Sequence, residues 1–201
     1  MYLKLKKQLK KNGIEGKDNI LKIMQERANE VLDYFDVKSV PKDGVPIIKI
    51  LTDIGIKVYR DDSLPQELSA FIAIDPVLME KFGTNKIVCV NGNDSVQHIR
   101  FALAHELAHY LFDFDETIQT KYYNTYIADD SEKDKDIEVR ANKFAACLLM
   151  PEKEFREAEE MYYSQNGDRV ETISSLINHF GVSAKAIYRR FEELGIGGYE
   201  R

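Results

Sequence analysis

The stretch Phe101-Ala-Leu-Ala-His105-Glu106-Leu107-Ala108-His109-Tyr110-Leu111-Phe112 constrains this chain more than any other part of it. It is rich in Ala and Leu, which favour helix, and neither Gly nor Pro interrupts it. On a helix, positions four apart lie about 40° apart around the axis. His105 and His109 therefore project from one face, with Cβ atoms about 6 Å apart. Two imidazoles so placed can converge on one metal ion. Glu106 follows the first of them and can act as a general base on water at that metal. An apolar helix is also a costly place for three polar side chains without partners.

The 201 residues suffice for one compact domain with a real core, or for such a domain plus a small helical appendage. A formal charge of −6 argues against a nucleic-acid binder acting through a broad basic surface. Direct DNA binding is accordingly not expected. The basic start, Met1 to Lys11, lacks the apolar segment of a secretory signal, and no run reaches the roughly 18 apolar residues of a membrane span. Cys89 and Cys147 lie far apart in apolar runs and read as buried thiols. A cytoplasmic protein with no membrane partner is expected.

Residues 1–16 are Lys-rich and end in glycines, which predicts a loosely docked arm. Asp18 or Asn19 caps a helix to about Phe35, with Ile20, Ile23, Met24, Ala28, Val31, Leu32 and Phe35 at helical spacing. A short helix over 47–54 stops at Gly55. Three strand-like stretches follow: 56–59, 68–74 and 86–90, the last ending in the turn Asn91-Gly92-Asn93. Asp94 or Ser95 caps the central helix. Residues 113–136 are acidic and tyrosine-rich and read as a solvated loop; tethered to both ligand-bearing helices, it is placed to act as a lid. Further helices are predicted from Ile137 to Pro151, with Pro151 opening the next over 152–165, and as a pair within 171–194 around Phe180-Gly181-Val182-Ser183. Gly195-Ile-Gly-Gly reads as a flexible tail.

Catalytic zinc usually takes three protein ligands and keeps one position for water. Of the four histidines, His98 lies two turns before His105, about 10 Å along the axis, too far to share an ion. His179, in the C-terminal region, reads as a surface residue. Glu138 is the better third ligand, because it sits in a helix whose other residues (Ala141, Phe144, Ala145, Leu148) are core-like. Asn142, one turn later on the same face, can accept the N–H of a ligating imidazole.

Three segments together carry a resemblance to a known family. They are Val88-Cys-Val-Asn91, Arg100-Phe101-Ala-Leu-Ala-His105-Glu106-Leu-Ala-His109, and Glu138-x-x-Ala141-Asn142-x-Phe144-Ala145-Ala-x-Leu148-Leu149-Met150-Pro151. With the closing Phe180-x-Val182-Ser183-x-x-Ala186, they resemble the ImmA/IrrE metallo-endopeptidases over residues 44–195. The resemblance implies a gluzincin-type zinc peptidase with one Zn2+ held by His105, His109 and Glu138, and Glu106 as base. The family often has an acidic residue just before the Ala-Asn pair; here Arg140 stands there. It implies an α+β, zincin-like domain with a small sheet packed on the active-site helices, plus a C-terminal helix-turn-helix-like region. The expected divisions are 1–40 (arm and helix), 41–165 (peptidase domain) and 166–201 (C-terminal helices packed on it). The expected substrate is a helix-turn-helix transcriptional repressor, cut site-specifically. Tyr122, Tyr123, Tyr126 and His179 are candidates for the second oxyanion donor. The alternative is a DNA- or partner-binding regulator with a structural metal site. Against it, the charges of 171–194 cancel, with Lys185, Arg189 and Arg190 set against Glu171, Glu192 and Glu193.

Overall fold

The computed structural model describes residues 20–41, 43–114, 121–123 and 132–199. The arm at 1–16, Tyr126 and most of the expected lid lie outside them.

The central helix is α4 (Val96–Phe112), counting α1 (Ile20–Tyr34), α2 (Ile47–Asp53) and the short α3 (Leu78–Phe82) before it. Ser95 is extended, and its hydroxyl accepts the His98 N–H at 3.2 Å, one of the donors that a helix start leaves free. Every residue from Ala102 to Leu111 is buried. That requires cover on both sides. A sheet supplies one side, and α5 (Glu132–Leu149) the other.

The sheet has four strands: β1 (Lys57–Asp61), β2 (Ala70–Ile74), β3 (Lys86–Asn91) and β4 (Lys121–Tyr123), in the order β1-β3-β2-β4. β1 and β3 are parallel, with Val58 beside Val88; β2 is antiparallel to both β3 and β4, with Ile72 between Val88 and Tyr123. The interior strand β3 is buried from Ile87 to Asn91, whereas no residue of β1 at the edge is buried. Asn91 belongs to the strand rather than to a surface turn. Its amide donates to Pro65 O at 2.9 Å and Leu68 O at 3.0 Å, tying the β1–β2 loop to the sheet.

α1 packs on the outer side of α5. α5 starts five residues earlier than Ile137, because Glu and Lys support helix as well as Leu does and a solvated charge run need not be loop. Pro151 stands at the N-cap of α6 (Glu152–Asn166), one position before the expected one. α7 (Arg169–Phe180) begins at the Asp168 cap, and α8 (Ala184–Leu194) at the Ser183 cap.

The C-terminal pair shares the core of the rest of the chain. Phe155 of α6 lies between the rings of Phe180 and Phe191, 5.5 and 5.2 Å away. Arg190 is fully buried; its Nε donates to Met150 O at 3.0 Å and its guanidinium also reaches Gln25 Oε1 of α1. Arg100 of α4 donates to Gly181 O at 3.1 Å and to Val45 O at 2.9 Å. Gly44 is at φ +75° in the same junction, and a Cβ there would lie 2.4 Å from Phe180 O. The residues after α8 are docked, not a free tail: the Tyr199 ring stacks on Phe191 at 4.0 Å and its hydroxyl bonds Glu159. Covering an aromatic ring offsets the cost of ordering these few residues. Both cysteines are buried free thiols.

Candidate metal centre

α4 and α5 pack side by side. One turn of α4 presents His105 and His109, and the facing turn of α5 presents Glu138. His105 Nε2 lies 2.9 Å from His109 Nε2 and 3.1 Å from Glu138 Oε2, and His109 Nε2 lies 3.3 Å from Glu138 Oε1. Among the described residues these three form the group whose ligand atoms could hold a metal ion, all within 4.8 Å of one another.

The outer nitrogens decide the chemistry of the inner ones. His109 Nδ1 lies 2.8 Å from Asp113 Oδ2, and a carboxylate there can only accept, so Nδ1 carries the proton. His105 Nδ1 faces Asn142 Oδ1 at 3.2 Å, which again puts the proton on Nδ1. When both imidazoles are neutral, as a metal ligand must be, their Nε2 lone pairs turn toward the Glu138 carboxylate. Three acceptors this close repel one another unless a cation lies among them. Donors about 2.0–2.1 Å from a tetrahedral zinc stand about 3.3–3.4 Å apart, close to the separations seen here. The residues present therefore fit the metal.

The electrostatics agree. Burial alone pushes the His109 imidazolium down, but hydrogen bonds to Asp113 and Glu138 and the charges of Glu106 and Glu138 outweigh it, raising its pKa to about 9. Burial pushes the Glu138 carboxyl up, but its contacts with His105 and His109 bring it to about 2. Both shifts describe a pocket that favours positive charge.

Glu106 is 2% exposed and stands next to the cluster. Burial raises its pKa, the Glu138 charge adds to this, and His109, His105 and a backbone hydrogen bond from Ile72 of β2 oppose it. Arg140 forms an ion pair with Asp113, the acceptor for His109. The position where the family often carries an acid is thus filled by a base that holds a carboxylate behind a histidine. Asp113 was hidden in an acidic run, although its spacing of four from His109 was a usable signal.

The remaining candidates sit elsewhere. His98 Nε2 is 3.0 Å from Ser69 Oγ. His179 is half-buried and not a plain surface residue: its Nδ1 lies 3.0 Å from Tyr162 OH on α6. The backbones of Tyr122 and Tyr123 lie in β4, beside Ala73 and Ile72, and their side chains are outside the described residues.

An H-E-x-x-H helix under a small sheet, with a glutamate supplied by the next long helix, defines a zincin-like α+β class. The chain belongs to the peptidase family described as the IrrE N-terminal-like domain, whose profile matches residues 51–192. The match begins after α1 and takes in both helices of the metal centre. Among solved structures, the chain is similar to a Mycobacterium tuberculosis transcriptional regulator at 19% identity and a TM-score of 0.53, over 84% of this chain and 46% of that one. That likeness is one of fold, and this chain spans less than half the regulator's length. No curated protein matches. Among the described residues, no helix is long and apolar enough to cross a membrane.

Proposed function

We propose that the chain is a zinc-dependent endopeptidase that cuts one site in a helix-turn-helix transcriptional repressor in the cytoplasm. The observation that carries the reading is the convergence of His105, His109 and Glu138 with the buried Glu106 beside them. Zinc in such a site supplies Lewis acidity, which acidifies water and polarises a carbonyl. Glu106 takes the proton of the attacking water and returns it to the leaving amine. A base raised above the ordinary carboxylate range by burial suits that task, since it must both accept and release a proton near neutral pH. Asp113 and Asn142 hold the two imidazoles in the tautomer that leaves each Nε2 lone pair free. The repressor is implied by the family resemblance.

A second reading is a regulator in which the metal only braces the fold. The regulator-like neighbour and the α7–Gly181–α8 turn favour it. Ligand count opposes it: a structural zinc is usually closed by four protein ligands, and the described residues bring three together. The test is cleavage of a panel of purified helix-turn-helix repressors by the zinc-loaded protein and by Glu106→Gln. The proposal expects one peptide bond cut in a cognate repressor, and a loss of about 10²–10⁴ in rate in the variant. Equal rates for the two proteins would overturn it.

A further inference from the structure

A cavity of about 480 Å³ opens between α4, α5 and α8. Asn142 lines it and also meets His105 Nδ1, so one side chain links the cavity to the metal centre. Its apolar lining comes from Phe101, Val139, Ala146 and Met150. Val139 is 46% exposed, a large apolar side chain left open next to a metal ligand. Lys185 and Arg189, both exposed and one turn apart on α8, stand at its rim. Neither side chain pairs with a described residue. The cavity's own carboxylate, Glu193, is already held by Lys143 and by Arg190. The cavity therefore presents apolar walls and two free cations on a chain whose formal charge is −6.

Resting on the peptidase reading above, we infer that this cavity is the subsite for one side of the scissile bond, and that it selects a large apolar side chain followed by a carboxylate. From Asn142 to Leu149 α5 advances about 10 Å, which is about three residues of extended peptide at about 3.3 Å each. The apolar side chain of the substrate falls beside Phe101 and Ala146. Its acidic residue, further from the cut, reaches Lys185 and Arg189. Charge at a rim contributes discrimination more than raw affinity, which suits a protease that must ignore other chains. The apolar walls favour a polypeptide over a nucleic-acid backbone as the occupant.

Two arms test this on the full, zinc-loaded chain. In the first, a random-sequence peptide library is digested and the cuts are read by mass spectrometry. Acidic residues are expected to be enriched about tenfold at two to four positions on one side of the cut, and the doubly substituted Lys185→Glu, Arg189→Glu protein is expected to reverse the preference to basic residues. Cuts with no charge preference overturn the inference and leave the peptidase reading intact. The second arm needs no cleavage. Binding of two fluorescent peptides, alike except for two Asp or two Lys residues beside a Leu, is measured with Glu106→Gln and with its charge-reversed version. Tighter binding of the Asp peptide, by about tenfold and lost on charge reversal, supports the inference even if the wild type cuts nothing; equal binding of the two overturns it. Binding of a DNA duplex that is lost with the same substitutions would assign these cations to nucleic acid, and would also overturn it. Both residues are exposed, so an unchanged melting curve shows that the variant folds.

Discussion

Asp113, the residue that caps the end of α4, stands one turn beyond His109, with Oδ2 2.8 Å from Nδ1, while its other oxygen is paired with Arg140 of α5. The carboxylate at the end of one ligand helix is thus locked by a cation from the other. The Asp113 side chain is only 7% exposed, so the pair is poorly screened. Removing groups that orient a ligating histidine costs about 10–100-fold in metal affinity. Asp113→Ala is expected to lose that much in a chelator competition. Arg140→Met, which leaves Asp113 in place, is expected to lose less. Equal affinity in wild type and Asp113→Ala would show that the contact is incidental.

The two charge-shifted ligands predict opposite pH behaviour with and without metal. In the stripped protein, His109 is raised from 6.5 to about 9, so its contribution is complete below 6.5 and is lost as pH rises through 9. Glu138 is lowered to about 2, so its contribution is present above its ordinary 4.5 and is lost as pH falls toward 2. Stability of the stripped protein should therefore be greatest between about pH 4.5 and 6.5. Metal needs deprotonated ligands, so the zinc-loaded protein should instead gain stability as pH rises from 6 to 8. Chemical denaturation of both forms across that range decides it; parallel curves would contradict the assignment of these ligands.

Arg190 is among the largest fully buried side chains of the described residues, and it ties α8 to Met150 and to Gln25 of α1. Arg190→Met removes the donors and leaves those acceptors buried. Losing one member of such a buried charged network costs about 3–5 kcal/mol. Urea unfolding should show a loss of this size in one transition followed by probes throughout the chain. A separate early transition of the C-terminal helices would mean that they are not part of the common core.

Two glycines separate strain from crowding. Gly44 and Gly55 both have positive φ, +75° and +81°. A Cβ at Gly44 would meet Phe180 O and the Arg100 guanidinium, while one at Gly55 meets nothing within 4 Å. Gly55→Ala should cost about 1–2 kcal/mol, the backbone term alone. Gly44→Ala should cost clearly more and should loosen the C-terminal pair. Equal thermal shifts in the two variants would show that the Gly44 junction is not tight.

Much of this arrangement could be read before the fold was known, because periodicity carries it. The spacing of four in His105 and His109, the Ser95 cap, and the glycines ending α6, α7 and α8 are local signals, and the structure places α4, α6, α7 and α8 within a few residues of their expected bounds, whereas β4 lies in a stretch read as loop. What was not legible depends on contacts between distant segments. Asp113 looks like one acid among many until Arg140 is brought beside it. Asn91 looks like a turn residue until the Leu64–Leu68 carbonyls close over its amide. The tail after Gly195 has no local reason to be ordered, and gains one only when Tyr199 meets Phe191. The short α3 has no buried face, so no apolar pattern announces it.

His105, His109 and Glu138 stand close enough to form one metal site. Its most direct test is elemental analysis of protein purified without added zinc, as wild type, Glu106→Gln, His109→Ala and Glu138→Ala. About one zinc per chain is expected in the first two and less than about a tenth of that in the last two, since three protein ligands are the usual minimum for a tightly held zinc. No transition metal in the wild type, or full zinc occupancy in Glu138→Ala, would contradict it.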